Sequence, residues 1–234
     1  MTPKLELHLH LEGGAPPAFI KGLSKEKKID ISGIFNEDGS YRFTDFWNFL
    51  KVYEAACTTL TRPEDYQRLT RAVLEEQAQN GVIYTEIFLS PDFCGNRDRG
   101  AWREYLQAIR EEAAALEREA GITMKAIATC IRHFGPDKAR QTARCAAETA
   151  GDFLVGFGIA GVETMGKLKD FKWSFDATRE AGLKPTVHAG EWAGPSEVRD
   201  ALRLERDAVG NVRREASEPG VLKVKIGNPA NMAK

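Results

Sequence analysis

The feature that most constrains the fold is the alternation of short apolar runs with long amphipathic segments. The runs are rich in Val, Ile and Leu, and as candidate strands they are Leu5–His10, Val82–Leu89, Met124–Ile131, Phe153–Ile159 and Lys184–His188. The segments with helical periodicity are Pro16–Lys28, Thr44–Thr58, Pro63–Asn80, Ala101–Ala120, Pro136–Thr149, Lys167–Ala181 and Pro195–Arg206. Strand followed by helix throughout predicts parallel strands joined by right-handed crossovers.

Prolines and glycines mark the predicted ends of these helices. Pro63 and Pro136 stand where a helix accepts proline in its first turn. The glycines that follow the last periodic residue of a helix are Gly81, Gly121, Gly151 and Gly182.

Parallel strands leave two folds open, a TIM-type barrel and an open doubly wound sheet. A dinucleotide-binding sheet needs G-x-G-x-x-G after its first strand, and neither this pattern nor G-x-x-x-x-G-K-[ST] occurs in the chain. Polar residues gather instead at the predicted carboxyl ends of strands, where barrels carry their chemistry. We therefore expect an α/β fold of the TIM type.

The charge of the chain is balanced, with 33 Lys and Arg against 34 Asp and Glu among 234 residues. Such a balance offers no basic surface for nucleic acid, so a small neutral substrate or a protein is the expected partner. No apolar run has the length of a membrane span, and the opening MTPKLELHLH lacks the regions of a signal peptide. These features predict no membrane partner and a cytoplasmic location.

The cysteines are not arranged as a metal or redox motif, since no C-x-x-C pair occurs among Cys57, Cys94, Cys130 and Cys145. We expect small buried side chains without disulfides. Cys130 and His133 could in principle act as nucleophile and base, but the sequence offers no third group to orient them.

The opening stretch LELHLHLEGG contains half of the histidines of the chain. His8 and His10 are two residues apart on a predicted strand, so their side chains point to the same face, about 7 Å apart along the chain. A single histidine on a strand is usually an ordinary hydrogen-bonded residue. Two on one face of a buried strand favour a metal site, because an imidazole buried without a partner costs desolvation free energy.

A further histidine, His188, ends the predicted strand KPTVH and is followed by Ala189, Gly190 and Glu191. It is the candidate third zinc ligand. Zinc held by several nitrogens lowers the pKa of water towards neutrality, and a nearby carboxylate can then transfer protons. Glu191 is the candidate for this acid or base. The alternative is that Glu191 only supplies negative charge to the start of the next helix.

The stretches PKLELHLHLEGG, GVIYTEIFLSPDF, CIRHFGP, GFGIAGVE and TVHAGEW, in this order, closely resemble the bacterial members of the adenosine deaminase family, which are zinc aminohydrolases built on a (β/α)8 barrel. The resemblance covers about residues 3–204, and its most specific elements are H-x-H-L-E-G and H-A-G-E. It implies that His8, His10 and His188 hold one zinc ion per chain and that Glu191 is the catalytic proton shuttle.

The resemblance also implies a substrate site and a reaction. Glu12 matches an acid that contacts the sugar, Gly161 matches a glycine whose backbone contacts the purine, and His10 is expected to touch the substrate as well as the metal. The implied reaction is the zinc-dependent hydrolytic deamination of adenosine, or of 2′-deoxyadenosine, in purine metabolism. Water adds at C6 of adenosine, and inosine and ammonia are released.

The sequence departs from the family pattern in two places. Val162 stands where many relatives have an acid, so Glu163 is the only carboxylate of the stretch AGVE. After about residue 204 the family's His-Gly and Asp-Asp pairs are missing, and only VLKVKI could form a sixth strand. We therefore expect a partial barrel over residues 1–206, with five or six of the eight βα units, and a divergent tail over residues 207–234.

Several functions remain open at this point. The chain could be a working zinc deaminase of adenosine, or a deaminase of another 6-aminopurine, or another metal hydrolase on the same barrel. It could also be a catalytically impaired fragment that binds zinc or a purine without turnover. The missing histidine and aspartate favour impaired activity, because groups that act as one constellation lose activity together.

Overall fold

The computed structural model describes the backbone of residues 2–209 and 224–225 and the side chains of residues 2–204. The chain divides into two compact units. The first unit comprises Met1–Leu89, Phe93–Gly95 and Gly100–Lys125. The second unit comprises Ser90–Asp92, Asn96–Arg99 and Ala126–Lys234.

The first unit pairs two parallel strands connected by helices. Its elements are β1 (Lys4–His10), α1 (Pro17–Lys27), α2 (Phe46–Cys57), α3 (Pro63–Gln79), β2 (Val82–Leu89) and, from Gly100 onward, α4 (Arg99–Ala120). A single 3-10 turn follows α1 at Ser32–Ile34. In the strand pair, Leu9 lies opposite Ile87 and His10 lies opposite Phe88.

The second unit contains most of β3 and the strands that follow it. Its elements are β3 (Thr123–Ile131), α5 (Pro136–Glu148), β4 (Leu154–Ala160), α6 (Lys172–Glu180), β5 (Lys184–His188), α7 (Pro195–Val209) and β6 (Val224–Lys225). In this unit β3 pairs in parallel with β4, β4 with β5, and β5 with β6. A sixth strand is thus confirmed within VLKVKI, and the rest of that run lies outside the described residues.

Parallel strands alternating with helices give the chain the α/β fold class of TIM-type barrels. Six strands are present in the described residues, against eight in a complete barrel, so these residues form an incomplete barrel of this type. The predicted boundary at residue 206 falls inside α7. The division into residues 1–206 and 207–234 stays a prediction.

Glycines account for the carboxyl ends of three of the described helices, α3, α4 and α6. Gly81, Gly121 and Gly182 have the positive φ values of 83°, 68° and 90° that a left-handed helix terminus requires. Gly151 does not, because α5 already ends at Glu148. The predicted helix Lys167–Ala181 is in fact a 3-10 turn at Leu168–Phe171 followed by α6.

The expectation that β1 is a buried strand is wrong for its first half. Leu5 and Leu7 are 62% and 38% exposed, whereas Leu11, just past the strand, is fully buried. The reason is that β1 is the edge strand in the described part of the sheet, where only β2 pairs with it. Burial therefore begins at the carboxyl end of β1, next to the histidines.

The cysteines behave as small buried side chains, as predicted. All four are buried thiols that form no disulfide. Burial, with the charge of Asp92 adding to it, raises the pKa of the Cys130 thiol far above its ordinary value. Cys130 therefore stays a thiol at neutral pH, which argues against its use as a nucleophile.

No helix in the described part of the chain is both long enough and apolar enough to cross a membrane.

Candidate active site

The histidines of β1 lie side by side near its carboxyl end. The ring centroids of His8 and His10 are 5.8 Å apart, and each lies 4.7 Å from the ring centroid of Phe88 on β2. The rings of His10 and Phe88 are stacked with an interplanar angle of 15°. The two-residue spacing thus puts both imidazoles on one face of the strand, and Phe88 packs against both of them.

The carboxylate of Glu12 is buried just past β1, where it is 5% exposed. Each of its oxygens accepts a hydrogen bond from a tyrosine hydroxyl, Tyr53 of α2 at 2.8 Å and Tyr66 of α3 at 3.0 Å. The turn that carries Glu12 follows β1 and is bonded to β2, because the Leu11 N–H donates to the Phe88 carbonyl at 3.1 Å. Glu12 is therefore held by groups of its own unit.

Burial raises the pKa of Glu12, and the hydrogen bonds from the tyrosines oppose this effect only in part. Burial and the neighbouring Glu12 carboxyl in turn raise the pKa values of Tyr53 and Tyr66 well above their ordinary range. Both hydroxyls consequently remain protonated at any physiological pH. Because a hydroxyl can donate or accept, the pair can serve Glu12 in either protonation state.

His188 ends β5 and is 9% exposed, so it is buried at the carboxyl end of its strand. The loop 189–194 follows, and α7 begins at Pro195. Glu191 lies in this loop, whereas the acidic residue in the first turn of α7 is Glu197. The effect of a helix dipole falls off within its first turn, so the alternative that Glu191 serves the helix terminus is not supported.

Gly161 follows β4 and has a φ of 101°, which favours glycine. A Cβ at this position would come within 2.7 Å of Nδ1 of His133. The same Nδ1 accepts a hydrogen bond from the N–H of Val162 at 3.3 Å. His133 and Gly161 therefore fit together in the second unit, and the predicted contact of Gly161 with a purine stays a prediction.

Glu163, two residues further along, reaches the loop that carries Glu191. One oxygen of its carboxylate accepts a hydrogen bond from the N–H of Gly190. The other accepts hydrogen bonds from the N–H groups of Trp192 at 2.7 Å and Ala193 at 3.0 Å. Glu163 is 3% exposed. Both oxygens of this buried carboxylate thus accept hydrogen bonds from backbone N–H groups.

Sequence reasoning missed the residues that surround the predicted site. Tyr53 and Tyr66 are 41 and 54 positions from Glu12, and nothing in their local pattern connects them with it. Glu163 stood inside a recognised motif, but the partners of its carboxylate could not be read from it. The first unit thus assembles His8, His10 and Glu12 with two tyrosines, and the second joins Glu163 to the loop between His188 and α7.

Comparison with known proteins gives a consistent family. The family model described as "Adenosine deaminase" matches residues 3–211. A protein of Agrobacterium fabrum named adenine deaminase is 40% identical over 201 residues, which is 86% of this chain and 61% of that protein. The chain therefore spans about three fifths of the length of this curated relative.

Two solved structures share the fold. One is an adenine deaminase from Arthrobacter aurescens, with a TM-score of 0.76 and 29% identity, covering 88% of this chain and 63% of that one. The other is an amidohydrolase from Burkholderia ambifaria with bound Zn, with a TM-score of 0.75 and 26% identity, covering 87% of this chain and 57% of that one.

Proposed function

Because this chain belongs to the adenosine deaminase family, we propose that it takes part in the hydrolytic deamination of a 6-aminopurine, with one zinc ion held by His8, His10 and His188. Adenine is the first candidate substrate, and adenosine and 2′-deoxyadenosine are the next. The observation that carries the proposal is that the histidines and Glu191 lie at or just past the carboxyl ends of β1 and β5, where enzymes of this fold class carry their chemistry.

The donor set fits zinc. Imidazole nitrogen is a standard zinc ligand, and three protein ligands with a further open position are typical of hydrolytic sites. The bound Zn of the Burkholderia ambifaria structure supports the same metal. When bound, zinc supplies a Lewis acid that brings the pKa of water near neutrality. Phe88, packed against the rings of His8 and His10, limits their freedom to turn away from a shared ion.

Glu191 is the group that we assign to proton transfer. It sits three residues after His188 in a loop whose backbone is held on both sides of it. Hydrolysis moves two protons from the attacking water to the purine, one to a ring nitrogen and one to the departing amine, and a carboxyl group near the metal can relay each of them in turn. Glu191 is half-buried, so its carboxyl can meet a substrate without first leaving a closed core.

The preference for adenine over adenosine is supported by Glu12 and by the relatives. The resemblance assigns the sugar to Glu12, yet both of its oxygens are engaged by Tyr53 and Tyr66 and the residue is buried. A ribose hydroxyl would have to compete with these donors. The relatives from Agrobacterium fabrum and Arthrobacter aurescens are both named for adenine.

The proposal is tested by loading the purified chain with zinc and following the release of ammonia from adenine and from adenosine. Glu191→Gln should keep the zinc content and lower turnover by about 10²-fold or more, as expected for loss of a general acid or base. Faster turnover of adenosine than of adenine would reverse the substrate order. Zinc binding without turnover of either purine would favour the catalytically impaired alternative.

The metal assignment has its own test, in which zinc per chain is measured after dialysis. His10→Ala and His188→Ala should each reduce zinc binding by 10-fold or more in affinity, because each removes one of three ligands. His133→Ala is the matched control, since His133 is engaged with Val162 and is not a proposed ligand. Equal zinc binding by all variants would refute the assignment.

A further inference from the structure

The loop after β5 is held in place by one carboxylate. Glu163 accepts hydrogen bonds from the backbone N–H groups of Gly190, Trp192 and Ala193, and so uses both of its oxygens. These donors flank Glu191 on either side. A buried carboxylate bonded to several N–H groups is a strong anchor, because charge-assisted hydrogen bonds are about twice as strong as neutral ones.

The loop has little freedom to adopt another path. Gly190 has a φ of 79°, and a Cβ at this position would lie 2.7 Å from Cγ2 of Val198 in α7. The close approach of loop and helix therefore depends on glycine. With the N–H groups of three loop residues bound to Glu163, the backbone on each side of Glu191 is fixed.

A buried arginine supports the same pair of segments. Arg132, directly after β3, is 3% exposed and donates to the carbonyls of Met165 at 3.0 Å and Gly166 at 2.9 Å. It also forms an ion pair at 2.9 Å with Glu197 in the first turn of α7. Arg132 thus connects the segment that follows Glu163 with the helix that follows the Glu191 loop.

We propose that Glu163 is a positioning residue, which sets the direction of the Glu191 side chain by fixing the backbone of residues 190–193. This inference rests on the proposed function, because it assigns Glu163 a role through Glu191. A misplacement of about 1 Å can cost about 10²-fold in rate. Glutamine cannot replace the carboxylate, since its single oxygen would leave an NH2 group facing an N–H donor.

The test compares Glu163→Gln with wild type and with Glu180→Gln, a control that removes an exposed carboxylate at the end of α6. We expect Glu163→Gln to lower kcat by about 10–100-fold and to leave KM and zinc content within about 2-fold. The amides of Gly190, Trp192 and Ala193 should exchange with deuterium faster by a similar factor. Glu180→Gln should change neither measurement.

The two readouts separate this inference from the proposed function. If the wild-type chain does not turn over a purine, the proposed function fails, and the exchange rates of residues 190–193 still decide whether Glu163 fixes the loop. Unchanged exchange in Glu163→Gln overturns the inference. A fall in kcat that is accompanied by a comparable rise in KM and a comparable loss of zinc also overturns the inference, since that pattern would indicate general destabilisation.

Discussion

Each unit buries a glutamate just after a strand, and the two carboxylates meet different donors. Glu12 follows β1 and is bonded to two tyrosine hydroxyls, whereas Glu163 follows β4 and is bonded to three backbone N–H groups. Hydroxyls can rotate and can accept as well as donate, but N–H groups only donate. The first environment therefore suits a carboxyl that changes its protonation state, and the second suits a carboxylate that holds the backbone permanently.

The largest expected effect is a difference in the free energy of unfolding between variants that remove one or the other of these carboxylates. Glu163→Ala leaves three N–H donors without their acceptor, and we expect it to lower the free energy of unfolding by about 2–4 kcal/mol. Glu12→Ala should cost less, because the freed hydroxyls of Tyr53 and Tyr66 can turn to other acceptors. Urea titrations of both variants provide the measurement. Equal losses would show that the type of donor does not matter.

A carboxylate outside both loops sharpens the comparison. Asp65 accepts hydrogen bonds from the N–H groups of Thr61 and Arg62 at the start of α3, and it forms an ion pair with Lys27. Asp65→Ala removes this helix cap and should lower the free energy of unfolding by about 1–2 kcal/mol. Because Asp65 has backbone donors, it should resemble Glu163 more than Glu12.

The contribution of Asp65 to the free energy of unfolding should also depend on pH. Burial raises its pKa, but the bonds from Lys27 and the backbone outweigh this effect and the pKa is lowered from 3.8. The contribution of Asp65 is therefore present above its ordinary pKa and is lost as the pH falls through the lowered value. Unfolding curves of Asp65→Ala should then be less acid-sensitive than those of wild type. Equal acid sensitivity would contradict the assignment.

The smallest effect is expected for Glu12→Gln, which keeps the size of the side chain and a partner for each tyrosine. The folded state binds the proton of Glu12 more tightly than the unfolded chain does, since burial raises its pKa above 4.5. Wild type should therefore lose stability relative to Glu12→Gln as the pH rises through 4.5 towards the raised value. Urea midpoints measured from acid to neutral pH should diverge in that direction, and parallel profiles would argue against a protonation change at Glu12.

Much of the fold could be read from local patterns. Strands β2 and β5 have the predicted bounds, Val82–Leu89 and Lys184–His188. Pro63 and Pro136 open α3 and α5 as expected. These features depend on the periodicity of apolar residues and on the backbone limits of proline, which act within a few neighbouring positions. The same locality explains why His8 and His10 were expected on one face.

The sequence by itself determined the family, the order of strands and helices, and the residues that stand at the strand ends. Only the tertiary structure decided what surrounds those residues: the exposure of Leu5 and Leu7 on an edge strand, the tyrosines on Glu12, and the use of Glu163 to hold the loop of Glu191. Tyr66 lies 54 positions from Glu12, and Ala193 lies 30 positions from Glu163. The packing of whole helices and strands determines such long-range contacts, and a local sequence pattern does not predict that packing.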